Sequence, residues 1–583
     1  MKLKRTVLLI LAIIMLASVA ACSGTDGSTQ DTAAGTNADR NGNTEDRGAP
    51  VELIIYTQLA NYSGLQIGWA AEVLKERFNV VVTIIPEMEG TFATRTVEGF
   101  LGDIVIFGSD GREYREAISA GLLLDWEEDE ILPEYGPYIN DNMRLALEKN
   151  RKISRDGHVY GFGHNVAGNA EDRDTHIYYP YLRWDLYEKL GKPPINTLED
   201  FIPILAEMQK LEPQSDVGTK TYGVSSYPDW DGDMVMMVKS TGALYGWEEF
   251  AIGLYHVIDQ VFQGALEPDG MYLRCLKFYN TLYQMGLYDP DSMTQTFEDA
   301  ARKYKNGVSF WNIFTFVAET FNTDEHLDAG KAMKCVPAAD QKNVVTGLNV
   351  FGMNRVWTIG ANSNYPELCM EIINWFCTPE GVMTYNYGPQ GVTWDYDENG
   401  NTYLTDAGFQ SRRDKKSVVI KYGDWEGTYE DGEFQHNNTT WSVNSVNPES
   451  ALGETFFWES WESTMLLQPV RPIEVTWREW AGAIRADVFL DQKDITAVAV
   501  GTQFAFDKRS NELELAWKQV TDTIKQGSWR AIYADNDDDF AAIVDQMIKD
   551  AKAFGYDDCV EWIEGQALMR KAAEDEARGK NPG

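Results

Sequence analysis

The 583-residue sequence is 44% hydrophobic, holds 18 Trp, 28 Tyr and 25 Phe, and carries a formal net charge of −39. That length exceeds one ordinary core, so two or more domains are expected. The acidic field argues against nucleic acid and anionic polymers as partners and favours neutral or weakly cationic ligands, although a solvated acidic surface without ligand meaning fits the same charge.

Lys2, Lys4 and Arg5 open the chain, an apolar run from Val7 to Leu16 follows, and Ala17-Ser18-Val19-Ala20-Ala21 leads to Cys22. This is the layout of a secretory signal with small residues before the cut. The run is short for a spanning helix, which needs about 20 residues. A cysteine at the start of the mature chain resembles the lipobox of bacterial lipoproteins. A plain signal peptide with an incidental Cys22, and an uncleaved anchor, are the other readings. The expectation is a signal over 1–21, lipidation at Cys22 and a protein held to the extracytoplasmic face of the cell membrane. Gly, Ser, Thr, Asn and Asp dominate residues 22–50 without apolar period. This predicts a disordered linker reaching about 30 Å.

The body begins with the apolar run Val51-Glu52-Leu53-Ile54-Ile55-Tyr56. Leu65, Trp69, Ala70, Val73, Leu74 and Phe78 follow at helical spacing, then strand-like runs at 79–85 and 102–107. Strand, helix, strand, helix, strand predicts a parallel sheet with right-handed crossovers, whose ligands sit beyond the carboxyl ends of the strands. Two loops fall there, one with Gln58 and Tyr62 and one with Asp110 and Arg112. Neither is a Gly-rich phosphate cradle, which disfavours a nucleotide site. The Gly-punctuated run from His158 to His164 suits a strand crossing between lobes. Further strands are predicted over 177–181, 307–311 and 355–360. Helices are predicted at Arg183–Gly191 with its Gly-Lys-Pro-Pro stop, after a capping box at Thr197–Asp200, near 272–286, and from Asn364 through Phe376. Thr378-Pro379-Glu380-Gly381 breaks the last of these before Asn386-Tyr387-Gly388-Pro389-Gln390-Gly391-Val392-Thr393-Trp394.

The order of these elements, the Asn-Tyr-Pro-Glu helix at 364–367, the Thr-Pro-Glu-Gly break and the Tyr387–Trp394 run resemble extracellular solute-binding proteins of family 1, in their large LplA-like lipoprotein branch. Arg183-Trp184-Asp185, Met285-Gly286-Leu287 with Asp289-Pro290, and Trp529-Arg530-Ala531-Ile532-Tyr533-Ala534 agree with it, so the resemblance covers essentially 51–570. It implies an α/β, two-lobed periplasmic-binding-protein type II-like fold with interdigitated lobes and hinge crossings. Residues 51–165 and 336–378 would form the N-terminal lobe, and 166–335 and 379–583 the C-terminal lobe. It further implies an oligosaccharide ligand in the cleft, closure around it and docking on an ABC permease, with no cofactor and no catalysis.

A sugar offers an apolar CH face and a rim of hydroxyls, which calls for flat aromatics and polar forks. Trp230 with Asp229 and Asp231 fits, as do Trp184, Trp311 and Trp394, each beside a turn or strand end; burial in a core is the alternative for every tryptophan. Asp395, Asp397, Asn399 and Asp406 follow the order of a calcium loop, with Asp replacing the last Glu, but Asn399-Gly400 is equally a hairpin turn. Cys275, Cys335, Cys369, Cys377 and Cys559 are odd in number and hold no CxxC, so buried thiols with at most one bridge are expected. The six histidines form no HxxxH or HxH pair, against a zinc site. No nucleophile elbow, HExxH or P-loop occurs. A peptide or other non-sugar receptor of the same fold, a surface glycoside-active enzyme and a wall-associated adhesin remain as alternatives.

Overall fold

The structure, a computed structural model, describes residues 48–88, 90–437, 444–467 and 470–579. The signal over 1–21, Cys22 and nearly all of the linker lie outside the described residues. Among the described residues no helix is long and apolar enough to cross a membrane.

The first apolar run forms the strand Val51–Thr57, parallel to Val80–Pro86 on one side and to Ile104–Phe107 on the other. Leu53, Ile55, Val82, Ile84, Ile104 and Ile106 enter one core with Trp69, Ile373 and Phe376. Tyr56, Val105 and Phe107 enter another with Phe92 and Tyr114. Burial on both faces explains why these strands read as unbroken apolar runs rather than alternating ones. The chain later returns to this sheet: Val356–Ile359 runs antiparallel between Ile104–Phe107 and Gly161–Gly163. The carboxyl ends of the parallel strands, the end of Gly161–Gly163 and the start of Val356–Ile359 therefore share one edge.

The largest core, the second core as against the first one around Trp69, surrounds the strand Tyr178–Arg183, which pairs antiparallel with Trp311–Phe314 and with Met333–Cys335. The helices Met271–Gln284, Asn511–Ile532, Asp537–Ala553 and Tyr556–Ala577 contribute to it. The capping box read at Thr197 is present, with the Asp200 side chain bonding back. All five described cysteines are buried and free; burial pushes the Cys275 and Cys369 thiols up to about 12.

Between the two cores the outgoing and returning segments run backbone to backbone. Met353 N donates to His164 O (2.9 Å), His164 N to Arg355 O (3.1 Å) and Ala167 N to Asn349 O (3.1 Å). A Cβ on Gly163 would stand 1.8 Å from Met353 O, and one on Gly352, whose φ is +69°, 2.2 Å from Gly163 O. Only glycine at both positions permits this approach.

Two segments near the expected lobe boundaries pack as follows. The return was expected at 336, yet Asn343–Asn349 pairs in parallel with Thr496–Gly501, and Val336, Ala338 and Val344 belong to the second core. Residues 379–583 were assigned wholly to the second lobe, but Val418, Ile420, Tyr429 and Phe434 pack in the first core. Val382, Met383, Tyr387, Trp394, Leu404, Phe456 and Trp461 make a small core of their own. Apolar spacing marks such segments as buried without saying in which core.

Three histidines are buried in uncharged form. His436 sits among Trp357, Phe376, Tyr385 and Phe434, and burial takes its pKa from 6.5 down to about 3. Burial takes His164 and His176 down to about 4, helped by the charges of Arg355 and Arg173 respectively. A histidine whose folded pKa is depressed stabilises fully above its unfolded value and loses that contribution as pH falls through the folded one. Stability is therefore expected to decline from about pH 6.5 towards about pH 4, and the part of that decline above about pH 5.5 precedes the titration of the unfolded chain's carboxylates. Urea midpoints across this range would show it, and His436→Phe should flatten the decline. A midpoint constant down to about pH 5 would refute the assignment.

Candidate functional site

An exposed aromatic group lies on the second core. Trp230 is 47% exposed and Phe316 41%. Their ring centroids are 6.0 Å apart, and the half-buried Phe297 lies 5.0 Å from Trp230 and 6.1 Å from Phe316. The three rings come from separate elements. Trp230 sits in a loop, Phe297 is the first residue of the helix Phe297–Lys305, and Phe316 lies in the short helix Thr315–Ala318 that follows the strand Trp311–Phe314. Tyr227 supports the group from beneath, edge-on to Trp230 at 5.2 Å and to Phe297 at 5.4 Å. Rings held open to solvent by a buried support form a platform for an apolar ligand face.

The carboxyl edge of the first sheet is polar, and much of it is committed internally. Gln58 Oε1 accepts from Gly108 N (2.9 Å) while its Nε2 donates to Glu113 (2.6 Å). Ser109 Oγ accepts from Gly111 N at 3.0 Å. Asp110 pairs at 3.4 Å with Lys149, whose Nζ also donates to Met353 O at 3.1 Å. Burial lowers the Lys149 pKa against the pull of Asp110. These bonds fasten the strand-end loops to the crossing segments. Asn354 and Arg355 lie on the same edge, level with Gly108 and His164, since Val356 pairs with both Phe107 and Gly163. Asn354 is exposed and Arg355 half-buried. Among the described residues neither side chain has a hydrogen-bond or ion-pair partner.

Of the residues expected from the sequence, the structure places Trp230 on the platform and the others elsewhere. Trp184, Trp311 and Trp394 are wholly buried, and these three assignments are corrected. Trp184 donates to Thr476 Oγ1 (2.8 Å), Trp394 donates to Gly388 O (2.8 Å), and Trp311 packs between Phe201 and Phe278. Each adjoins a turn or strand end in sequence, but its ring turns inward to fill a core. The Asp229 carboxylate accepts from Phe297 N at 2.7 Å. Tyr62 donates to Leu65 O at 2.6 Å. Arg112 is exposed and pairs loosely with Glu113 and Glu116 of its own helix. Phe297, Phe316, Asn354 and Arg355 were not anticipated. A large apolar residue at a helix start, as in Thr296-Phe297-Glu298-Asp299, is a legible signal for Phe297.

The calcium-loop reading is overturned by a hairpin. Trp394–Tyr396 pairs antiparallel with Thr402–Leu404. The Asp397 carboxylate is filled by Asn399 N, Asn401 N and Asn401 Nδ2 at 2.8, 2.8 and 3.0 Å, so it accepts amides where a cation would need it. Asp395 is occupied by Gln390 Nε2, and Asp406 opens the next helix. Among the described residues the donor atoms of Asp125, Glu127 and His158 lie within 4.8 Å of one another. They are already paired, Asp125 with His158 (2.8 Å) and Glu127 with Arg151 (2.5 Å).

No family model matches the chain, and no curated protein matches it. Solved structures do. An HMO binding ABC-transporter associated solute binding protein from Bifidobacterium longum infantis is similar at 13% identity, with 89% of this chain and 99% of that one covered and a TM-score of 0.47. The S. pneumoniae ABC-transporter substrate binding protein FusA in complex with kestose is similar at 14% identity, covering 89% and 99%, with a TM-score of 0.45. The N-glycan transport solute binding protein NgtS from Streptococcus pneumoniae is similar at 16% identity, covering 92% and 100%, with a TM-score of 0.41.

Proposed function

We propose that the protein is a lipid-anchored extracytoplasmic receptor that captures an oligosaccharide and hands it to an ABC permease. The observation that carries this is the platform of Trp230, Phe297 and Phe316. Exposed rings of this kind suit the CH face of a sugar, and they sit on a different core from the polar edge at Asn354 and Arg355. In this reading the platform binds the ring faces and the sheet edge reads hydroxyls. Movement about the paired crossings at 163–167 and 349–355 closes the two lobes on the ligand. A ligand that touches both lobes shifts the population to the closed form. Nothing in this scheme breaks a bond. Cys22, as the lipidated residue at the end of a leash of about 30 Å, would keep the receptor near its permease and raise the local concentration. Two acyl chains would be needed for stable retention, because one binds marginally.

A thermal-shift screen with neutral xylo-, manno-, gluco- and fructo-oligosaccharides and a set of short peptides tests the ligand class. Stabilisation by a sugar series is expected. Stabilisation by peptides alone would replace the carbohydrate reading with the peptide one. New reducing ends on incubating the protein with a bound glycan would make it an enzyme. Arg355→Ala should weaken the bound sugar about tenfold, as loss of a hydrogen bond from a charged group does, at unchanged melting temperature. Unchanged affinity would remove Arg355 from the site. A Cys22→Ala protein should appear folded in the medium, and its retention on membranes would reject the anchor.

A further inference from the structure

Three aspartates flank or follow Trp230: Asp229, Asp231 and Asp233. In an acidic protein with a sugar-like site they invite a role as hydroxyl acceptors. The geometry points elsewhere, and we infer that they act as a clamp that presents the Trp230 ring, with Asp229 as the positioning residue that sets it against Phe297. The inference rests on the reading of the platform as a ligand site.

Each carboxylate is taken by an N–H from a different part of the second core. Asp229 Oδ2 accepts from Phe297 N at 2.7 Å. It thereby fixes the loop to the start of the helix that supplies the neighbouring ring. Asp231 is buried; its Oδ1 accepts from Met236 N (2.9 Å) and its Oδ2 from the indole of Trp529 (2.7 Å). Asp233 Oδ2 accepts from the indole of Trp517 at 3.2 Å. Trp517 and Trp529 both belong to the helix Asn511–Ile532. Two lysines complete the fastening through main-chain oxygens: Lys239 Nζ donates to Asp231 O (2.7 Å) and Lys525 Nζ to Gly232 O (3.0 Å). Gly232, at φ +61°, makes the turn that lets consecutive acids reach opposite sides.

The loop is thus tied at 229, 231, 232 and 233, and Trp230 is its untied member. An indole held in this way loses little conformational entropy when a ligand stacks on it. Each carboxylate already accepts an N–H from the protein, so in this scheme the aspartates hold the loop and the ring supplies the apolar face. Asp229 is exposed, so its replacement leaves the core packing intact, which makes it the member to test.

Deuterium exchange over 228–233 and 296–300 reads the clamp without any ligand. Asp229→Ala should exchange at the Phe297 amide about tenfold faster than wild type, and Asp229→Asn, which keeps an acceptor oxygen, should not. Equal exchange in all three proteins overturns the clamp. In titrations with the oligosaccharides of the screen, Asp229→Ala should bind about tenfold more weakly and Asp229→Asn within about twofold of wild type. Weak binding by Asp229→Asn with normal exchange would instead make the charge a ligand contact and overturn the positioning role. If no sugar binds wild type, or Trp230→Ala binds as wild type does, the platform reading fails while the exchange measurement still decides the clamp.

Discussion

Replacing Arg183 by methionine is expected to be among the most destabilising single changes in this protein, at about 3–5 kcal/mol, read as a fall in the urea midpoint. The Arg183 side chain is wholly buried. Its guanidinium forks onto both oxygens of Asp185 at 2.9 and 3.0 Å and reaches Glu212 at 3.1 and 3.3 Å. The rings of Phe321 and Phe310 cover its faces at 4.4 and 5.9 Å. Methionine fills much of the volume, so packing alone predicts a small effect. The cost comes from Asp185, which is only 5% exposed and would lose its cationic partner in a buried setting. Lysine cannot form the two-pronged contact and should recover only part of the loss. Joint replacement by Arg183→Met, Asp185→Leu and Glu212→Gln should be milder than Arg183→Met alone, because it leaves no orphaned charge. A single variant within about 1 kcal/mol of wild type would show that the trio is not balanced as described.

This trio also marks the limit of reading the sequence. Arg183-Trp184-Asp185 is legible as the start of a helix, and the helix Trp184–Lys189 is there. Nothing local says that Glu212 closes the charge or that Trp184 turns inward onto Thr476 and Trp480. Elements with a strong local period were legible: the parallel strands, the capping box at Thr197 and the proline-led helix Pro366–Cys377. The helix Pro379–Tyr387 was not, because its Thr-Pro-Glu-Gly start reads equally as a break. Contacts between distant segments were not. The platform joins residues 230, 297 and 316, and no spacing rule relates them. Trp230 is exposed, as expected for a ring in a loop rich in turn residues. The same reasoning failed for Trp311 and Trp394, where a neighbouring turn was mistaken for exposure. The calcium order at Asp395–Asp406 failed because Asn399-Gly400 closes a hairpin, and hairpin amides compete for the same oxygens.

For the platform itself, Trp230→Ala should weaken the bound oligosaccharide by about 2 kcal/mol, or about 30-fold, at unchanged melting temperature. The two halves of that expectation have one cause. A ring 47% exposed contributes little to the core, so its removal leaves stability alone, whereas its free face is what a sugar would cover. Phe316→Ala, at 41% exposure, should behave alike with a smaller loss, since phenyl covers less area than indole. Phe297→Ala should cost both affinity and stability, because that ring is half-buried against Tyr227. Trp311→Ala supplies the contrast: it opens a cavity between Phe201 and Phe278 and should lower the melting temperature sharply, by the about 3–5 kcal/mol usual for a buried large aromatic, while the sugar still binds the folded fraction with normal affinity. The pattern, not any one value, is the test. Should Trp311→Ala abolish binding in folded protein while Trp230→Ala binds normally, the ligand surface lies elsewhere and the exposed rings serve another contact.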